Sequence, residues 1–211
     1  MNDKDAINCP FELMEFLRKD TYSLLIKGEP GVGKTTLCLT ILKLLNIKRN
    51  FFYISTRISP TKLLEYHQWI GDFLNINESD DNLKPFEDAR LDEPESLFER
   101  ITNQLMDVRS PLIIIDSWEG IASFMDKESR LNNERVLQTW LERAGGRLIL
   151  ANEGTETSSL DYLVDGIINL KKKDSESKVV VEVELSKLRG VKMENMWYCA
   201  TLHNAIFNFL K

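Results

Sequence analysis

Short apolar runs alternate along this chain with longer stretches whose apolar residues recur every three or four positions. "TYSLLIKG" (21–28), with Leu24, Leu25 and Ile26 at its centre, is a buried-strand pattern ending at Gly28. "GKTTLCLTILKLL" (33–45) is apolar around most of its circumference, as a helix packed between a sheet and its neighbours should be. "NFFYIST" (50–56) predicts a second strand. "SPTKLLEYHQWIGDFL" (59–74) predicts one helix, with Ser59 as N-cap, Pro60 in the first turn, and Leu63, His67, Ile70 and Leu74 at helical spacing. "EPESLFERITNQLMDVR" (93–109) predicts another helix, and "SPLIIIDS" (110–117) a strand suited to the centre of a parallel sheet. "NERVLQTWLERAGG" (133–146) predicts a helix with Val136, Leu137, Trp140, Leu141 and Ala144 on one face and a glycine stop. "RLILANEG" and "LVDGIINLKK" read as further strands, and "PFELMEFLRK" (10–19) as a short opening helix with Phe11, Leu13, Met14 and Leu17 on one side.

The rhythm changes near the C-terminus. "KVVVEVELSKL" and "MWYCATL" alternate with period two, and "AIFNFL" follows. Strand–helix alternation followed by hairpins predicts a three-layer α/β domain: a mostly parallel central sheet with an antiparallel β addition over 178–211. The 211 residues suit one domain, with an N-terminal helix within 1–20. Residues 75–95 are polar and read as an acidic surface loop. Nine acids and three bases lie between Asn75 and Arg100, which accounts for the whole net charge of −6.

That charge does not favour general nucleic-acid affinity. "LKKKD" at Lys171–Lys173 reads as a solvated turn, with a nucleic-acid contact as the less favoured alternative. Three scattered cysteines read as free thiols in a reducing cytosol, and no Cys/His cluster suggests a metal site. His67 and His203 have no ligand partners at useful spacing. The polar N-terminus lacks a signal-peptide core, and no apolar run approaches the ~20 residues of a membrane span. A cytoplasmic location with no membrane contact is expected.

The chemistry concentrates in "GEPGVGKTT", Gly28-Glu29-Pro30-Gly31-Val32-Gly33-Lys34-Thr35-Thr36. It matches GxxxxGK[ST] between a predicted strand and a predicted helix. The glycines let the backbone wrap phosphate oxygens, and the loop N–H groups and the helix start form an anion cradle. Lys34 is the candidate cation for the β- and γ-phosphates, and the Thr35 hydroxyl a candidate Mg²⁺ ligand. Asp116, closing the run in "PLIIIDS", is the candidate acid supporting Mg²⁺, through water or directly. ATP and Mg²⁺ are the expected cofactors. Asp116 can alternatively be read as a helix cap at the strand's end.

"GEPGVGKTT", "YISTRISP", "LIIIDS" and "LVDGIINL…VEVELSKLRG" together resemble KaiC-like domains of the RecA branch of phosphate-loop ATPases. Within these, the chain is most similar to the archaeal family of the gas-vesicle regulator GvpD. That resemblance implies a RecA-like fold, an archaeal source, and control of transcription through a partner protein rather than direct DNA reading. GvpD-like proteins are typically longer, so at most their ATPase domain is shared.

In KaiC-like ATPases the second strand ends in two glutamates, thought to polarise the attacking water. Aligned on Ser59-Pro60, they fall on Arg57 and Ile58, neither of which accepts a proton. Loss of a positioned base forfeits about 10²–10⁴-fold in rate, so slow or partner-dependent hydrolysis is expected. Arg57 is a candidate γ-phosphate contact; a surface ion pair with the acidic loop is the other reading. Glu119 and Glu153 are candidate substitutes for the base, and Asn152 beside Glu153 a candidate γ-phosphate sensor. In "SKLRG" the resemblance implies that Lys187 and Arg189 reach the ATP site of a neighbouring copy, hence a homo-oligomer or a protein partner there; a solvated hairpin corner is the alternative. Two other functions remain open: an active recombinase-paralogue ATPase associated with DNA, and a small-molecule kinase. The motif spacing fits a sheet with a strand inserted between the two loops, and no Arg-rich lid is visible, both of which count against the kinase.

Overall fold

The fold grows around one strand, β1 (Tyr22–Gly28), whose seven residues are all buried. The computed structural model describes residues 7–76, 85–173 and 180–210. Helix α1 (Phe11–Leu17) precedes β1, and α2 (Lys34–Leu44), β2 (Phe51–Ser55), α3 (Pro60–Tyr66), α4 (Trp69–Leu74), β3 (Phe86–Asp88) and α5 (Pro94–Asp107) follow. Then come β4 (Leu112–Asp116), α6 (Glu119–Ala122), α7 (Lys127–Ala144), β5 (Arg147–Glu153), α8 (Ser159–Leu163) and β6 (Gly166–Lys173). The strands β7 (Val180–Leu188), β8 (Trp197–His203) and β9 (Ile206–Phe209) end the described chain.

Among the described residues the sheet runs β3-β2-β4-β5-β1-β6-β7-β8-β9. The first six strands in that order are parallel and the last three add antiparallel. β5 is therefore the strand inserted between the two loops. Ser55 pairs with Asp116, Asp116 with Ala151, and Glu153 with Gly28. The carboxyl ends of β2, β4, β5 and β1 thus form one rim.

Helices cover both faces, which is why the central strands read as unbroken apolar runs. Leu24 and Ile26 of β1 join a core with Leu13, Leu37 and Ile41 on the α1–α4 side. Leu25, between them, points to the other side and packs with Leu97, Leu137 and Leu160 beneath α5–α8. The three-layer α/β expectation holds.

Several local expectations change. The helix read over 59–74 is two helices, broken at His67, whose backbone (φ −126°, ψ 57°) is not helical. Ser59 does cap α3, accepting a hydrogen bond from the Lys62 N–H. Within the expected 75–95 loop, Phe86–Asp88 forms a parallel edge strand on β2. It is three residues long and two of them are acidic, so no strand pattern is visible in sequence, and those charges guard the exposed edge. Residues 77–84 of that expected loop lie outside the described residues. Helix α7 begins six residues earlier than its apolar pattern, because Asp126 caps it by accepting from the N–H groups of Glu128 and Ser129.

The face of α7 also differs. Val136 and Trp140 are 38% and 37% exposed, while Leu137 and Leu141 are buried together with Glu134. The Glu134 carboxylate is satisfied by Trp118 Nε1, Arg130 Nε and Ser159 Oγ, at 3.0, 3.0 and 2.7 Å. An acid on the core face is invisible to an apolar pattern, which therefore turned the helix toward Val136 and Trp140. Leu141→Ala should cost about 2–5 kcal/mol of stability in urea unfolding. Val136→Ala should change it by about 0.5 kcal/mol or less. Comparable losses at both positions would contradict this orientation.

Candidate functional site

The turn from β1 into α2 carries the signature Gly28–Thr36 on the sheet's carboxyl rim. At Gly28 a Cβ would stand 2.6 Å from the Leu170 carbonyl oxygen and 2.9 Å from Val32 Cγ1. Gly33, at φ +104°, turns the chain into the helix. Lys34 is only 8% exposed. Its Nζ donates to the carbonyls of Gly28 and Glu29, at 2.7 and 2.9 Å, and so folds over its own loop. Burial lowers its pKa; Glu153 and Asp116 oppose that shift and Arg57 adds to it. Lys34 at the start of α2 thus feels Asp116 of β4, Glu153 of β5 and Arg57 in the turn after β2.

Thr35 Oγ1 donates to Asp116 Oδ2 at 2.6 Å, joining the start of α2 to the end of β4. The Tyr53 hydroxyl donates to the same oxygen, also at 2.6 Å. Tyr53 is fully buried, and burial followed by the Asp116 charge pushes its phenol well above the ordinary value. Tyr53 was missed in the sequence because an inward tyrosine on a strand looks like core; only the pairing of β2 with β4 brings it to Asp116.

His67 was also missed. Its Nδ1 lies 3.0 Å from the Leu63 carbonyl, which can only accept, so Nδ1 carries the proton. Nε2 then accepts from Thr36 Oγ1 at 3.3 Å, tying the break between α3 and α4 to the first turn of α2. Lys172, read as part of a solvated turn, brings its Nζ within 3.8 Å of where a Cβ on Gly31 would stand.

Arg57 lies on the same rim. Its Nε donates to Ser117 Oγ at 3.0 Å and its guanidinium pairs with Glu153 Oε2 at 2.8 Å. Its partner is thus the end of β5 rather than the acidic loop. Asn152 is buried beside Glu153, and its Oδ1 has no hydrogen-bond partner. Glu119 faces elsewhere: both its oxygens accept from Arg130, at 2.8 and 3.3 Å. Glu119 and Glu153 nevertheless line one cavity of about 370 Å³, together with Arg130, Asn152 and Ser159 among others.

Lys187 and Arg189 are brought to each other but not to their own phosphate loop. Lys187 Nζ donates to the Asp161 carbonyl at 2.9 Å, and Arg189 pairs with Asp165 at 3.1 Å. Lys187 pairs along the sheet with Ile167, and Ile167 with Leu25, three residues before Gly28. Among the described residues no group of three or more His, Cys, Asp or Glu is placed to hold a metal, and no helix is long and apolar enough to cross a membrane.

A glycine-rich loop opening a helix, a buried acid two strands away and an inserted strand between them define a phosphate-loop NTPase domain of the RecA-like, KaiC-like type. The fold is similar to that of the KaiC-like protein PH0186 from Pyrococcus horikoshii, with a TM-score of 0.70 over 90% of this chain and 89% of that one, at 15% identity. Residues 13–186 match the family model of the GvpD gas vesicle protein P-loop domain, and the chain belongs to that family. It is 30% identical to Protein GvpD1 of Halobacterium salinarum over 95% of its length, and 29% identical to Protein GvpD2 of the same organism over 94%. It spans 40% and 43% of those two relatives.

His67 generates a pH prediction. Burial, only partly opposed by the Leu63 carbonyl and Asp116, holds its pKa below 6.5 in the folded chain. The unfolded chain therefore binds the proton more readily, and stability is complete above pH 6.5 and falls as the pH drops below it. Thermal unfolding at descending pH should show wild type losing more stability below that point than His67→Gln. Parallel curves for the two proteins would contradict this.

Proposed function

We propose that the domain is a nucleotide-dependent regulatory switch, which binds ATP with Mg²⁺, hydrolyses it slowly, and presents the bound state to a protein partner. The observation that carries this is the Thr35–Asp116 contact at 2.6 Å beside a glycine loop roofed by Lys34. A hydroxyl and a carboxylate sharing one point, next to backbone N–H donors, are the donor set that Mg²⁺–triphosphate requires. When bound, Mg²⁺ supplies charge neutralisation at the β- and γ-phosphates. Thr35 and Asp116 are its holders, with Tyr53 keeping the Asp116 carboxylate oriented.

Lys34 exchanges the Gly28 and Glu29 carbonyls for phosphate oxygens. Glu153 is the favoured base, because the sheet register sets it beside Gly28 on the loop's own rim; each candidate carboxylate has an arginine partner, Arg57 for Glu153 and Arg130 for Glu119. Glu153 orients a water and accepts its proton as the water oxygen bonds to the γ-phosphorus. The bond to the β–γ bridging oxygen breaks, leaving ADP and inorganic phosphate. Asn152 Oδ1, buried and unpartnered, is a second group suited to hold that water. Likeness to the GvpD family supports control of transcription through a protein partner. Lys187 and Arg189, remote from their own loop, suit a contact with the site of an adjoining copy.

Steady-state turnover of the purified chain tests the reading. The rate should fall below the ~1–10³ s⁻¹ of ordinary enzymes. Lys34→Ala should abolish it, and Glu153→Gln should lower what turnover remains. A rate in the ordinary range for the chain alone would contradict the slow switch, and a comparable fall on Glu119→Gln but not Glu153→Gln would move the base to Glu119.

A further inference from the structure

The residue standing where a base is expected holds down the residue that can replace it. Arg57 grips two elements at once, through Nε to Ser117 Oγ after β4 and through its terminal nitrogen to Glu153 at the end of β5. The backbone beneath it is fixed. Thr56 Oγ1 accepts from the Ser117 N–H and donates to the Ser117 carbonyl, both at 2.9 Å, and the Thr56 N–H donates to the Asp116 carbonyl at 2.9 Å. Ser55 Oγ closes the following turn on the Ile58 carbonyl at 2.6 Å. Only the guanidinium is left to move. It is permanently charged, so no proton transfer can loosen it.

We infer that Arg57 is an inhibitory positioning residue: it ties down Glu153, so slow turnover comes from a restrained base rather than a missing one. This rests on the assignment of Glu153 as the water-orienting group. A carboxylate oxygen that accepts from a guanidinium has that lone pair withdrawn from water, so it orients an attacking water less well. Lys34, Arg57, Asp116 and Glu153 balance two positive against two negative charges around the loop. The arriving triphosphate breaks that balance and gives Arg57 a second anion to choose. The Arg57 and Glu153 side chains are 48% and 29% exposed, and a pair this open is weak enough for such competition. The division of Arg57 between Glu153 and phosphate then sets the hydrolysis rate from inside the chain.

The test compares wild type, Arg57→Ala, Arg57→Lys and Arg57→Ala/Glu153→Gln in two readouts, equilibrium binding of ATP and ADP, and turnover at saturating ATP. Arg57→Ala should keep ATP affinity within about threefold and raise turnover about tenfold or more, a fraction of what a positioned base contributes. Arg57→Lys, which keeps the charge but loses the fork, should fall between the two. The double variant should return to the wild-type rate or below, a reversal that a purely structural role for Arg57 would not produce. Retained ATP binding with unchanged or slower turnover in Arg57→Ala overturns the restraint alone. A loss of ATP affinity relative to ADP well beyond threefold makes the γ-phosphate the main partner of Arg57 and overturns the restraint, and a double variant as fast as Arg57→Ala removes Glu153 from the inference. Failure of wild type itself to bind ATP overturns both the restraint and the function beneath it.

Discussion

The Asp116 carboxylate, buried at the end of β4, is the constraint that organises the rest of the molecule. A carboxylate withdrawn from water is costly unless donors replace its hydration. Thr35 and Tyr53 both donate to the same oxygen, Oδ2. One donor comes from the helix after the phosphate loop and the other from β2, so satisfying this acid fixes α2, β2 and β4 relative to one another. Insertion of β5 between β4 and β1 then places Glu153 level with Gly28. The geometry of the site follows from the sheet order and one buried charge.

On that rim, the proposed function assigns the phosphate to the glycine loop and Lys34, and the water to groups that differ from the two glutamates expected after β2. Arg57 and Glu153 meet as a partly exposed ion pair, while Glu119 is drawn away into the Arg130–Glu134–Trp118 network under α7. The family relationship covers the P-loop domain and 40% of the length of GvpD1. Lys187 and Arg189 are held beside α8 by the Asp161 carbonyl and the Asp165 carboxylate.

Much of this was legible in the sequence because it depends on local pattern. Gly28–Thr36 announces itself by spacing, Asp116 by closing an apolar run, and the parallel core by strands apolar on both faces. What escaped depends on contacts across strands. Tyr53 reaches Asp116 only through β2–β4 pairing, and His67 reaches Thr36 only because the helix breaks there. Arg57 could be placed at the end of β2, but its choice of Glu153 over the acidic loop needed the register of β5. Glu134 misled the reading of α7, because a buried acid held by three donors contradicts the pattern by which buried faces are recognised.

Grip on Mg²⁺–triphosphate at the loop is the claim on which everything else stands, and isothermal titration of the purified chain with ATP, with and without Mg²⁺, tests it most directly. Saturable ATP binding that strengthens with Mg²⁺, loses that Mg²⁺ dependence in Asp116→Asn, and disappears in Lys34→Ala is the predicted result. No heat and no retained ATP, GTP or ADP in wild type at any Mg²⁺ concentration would contradict it.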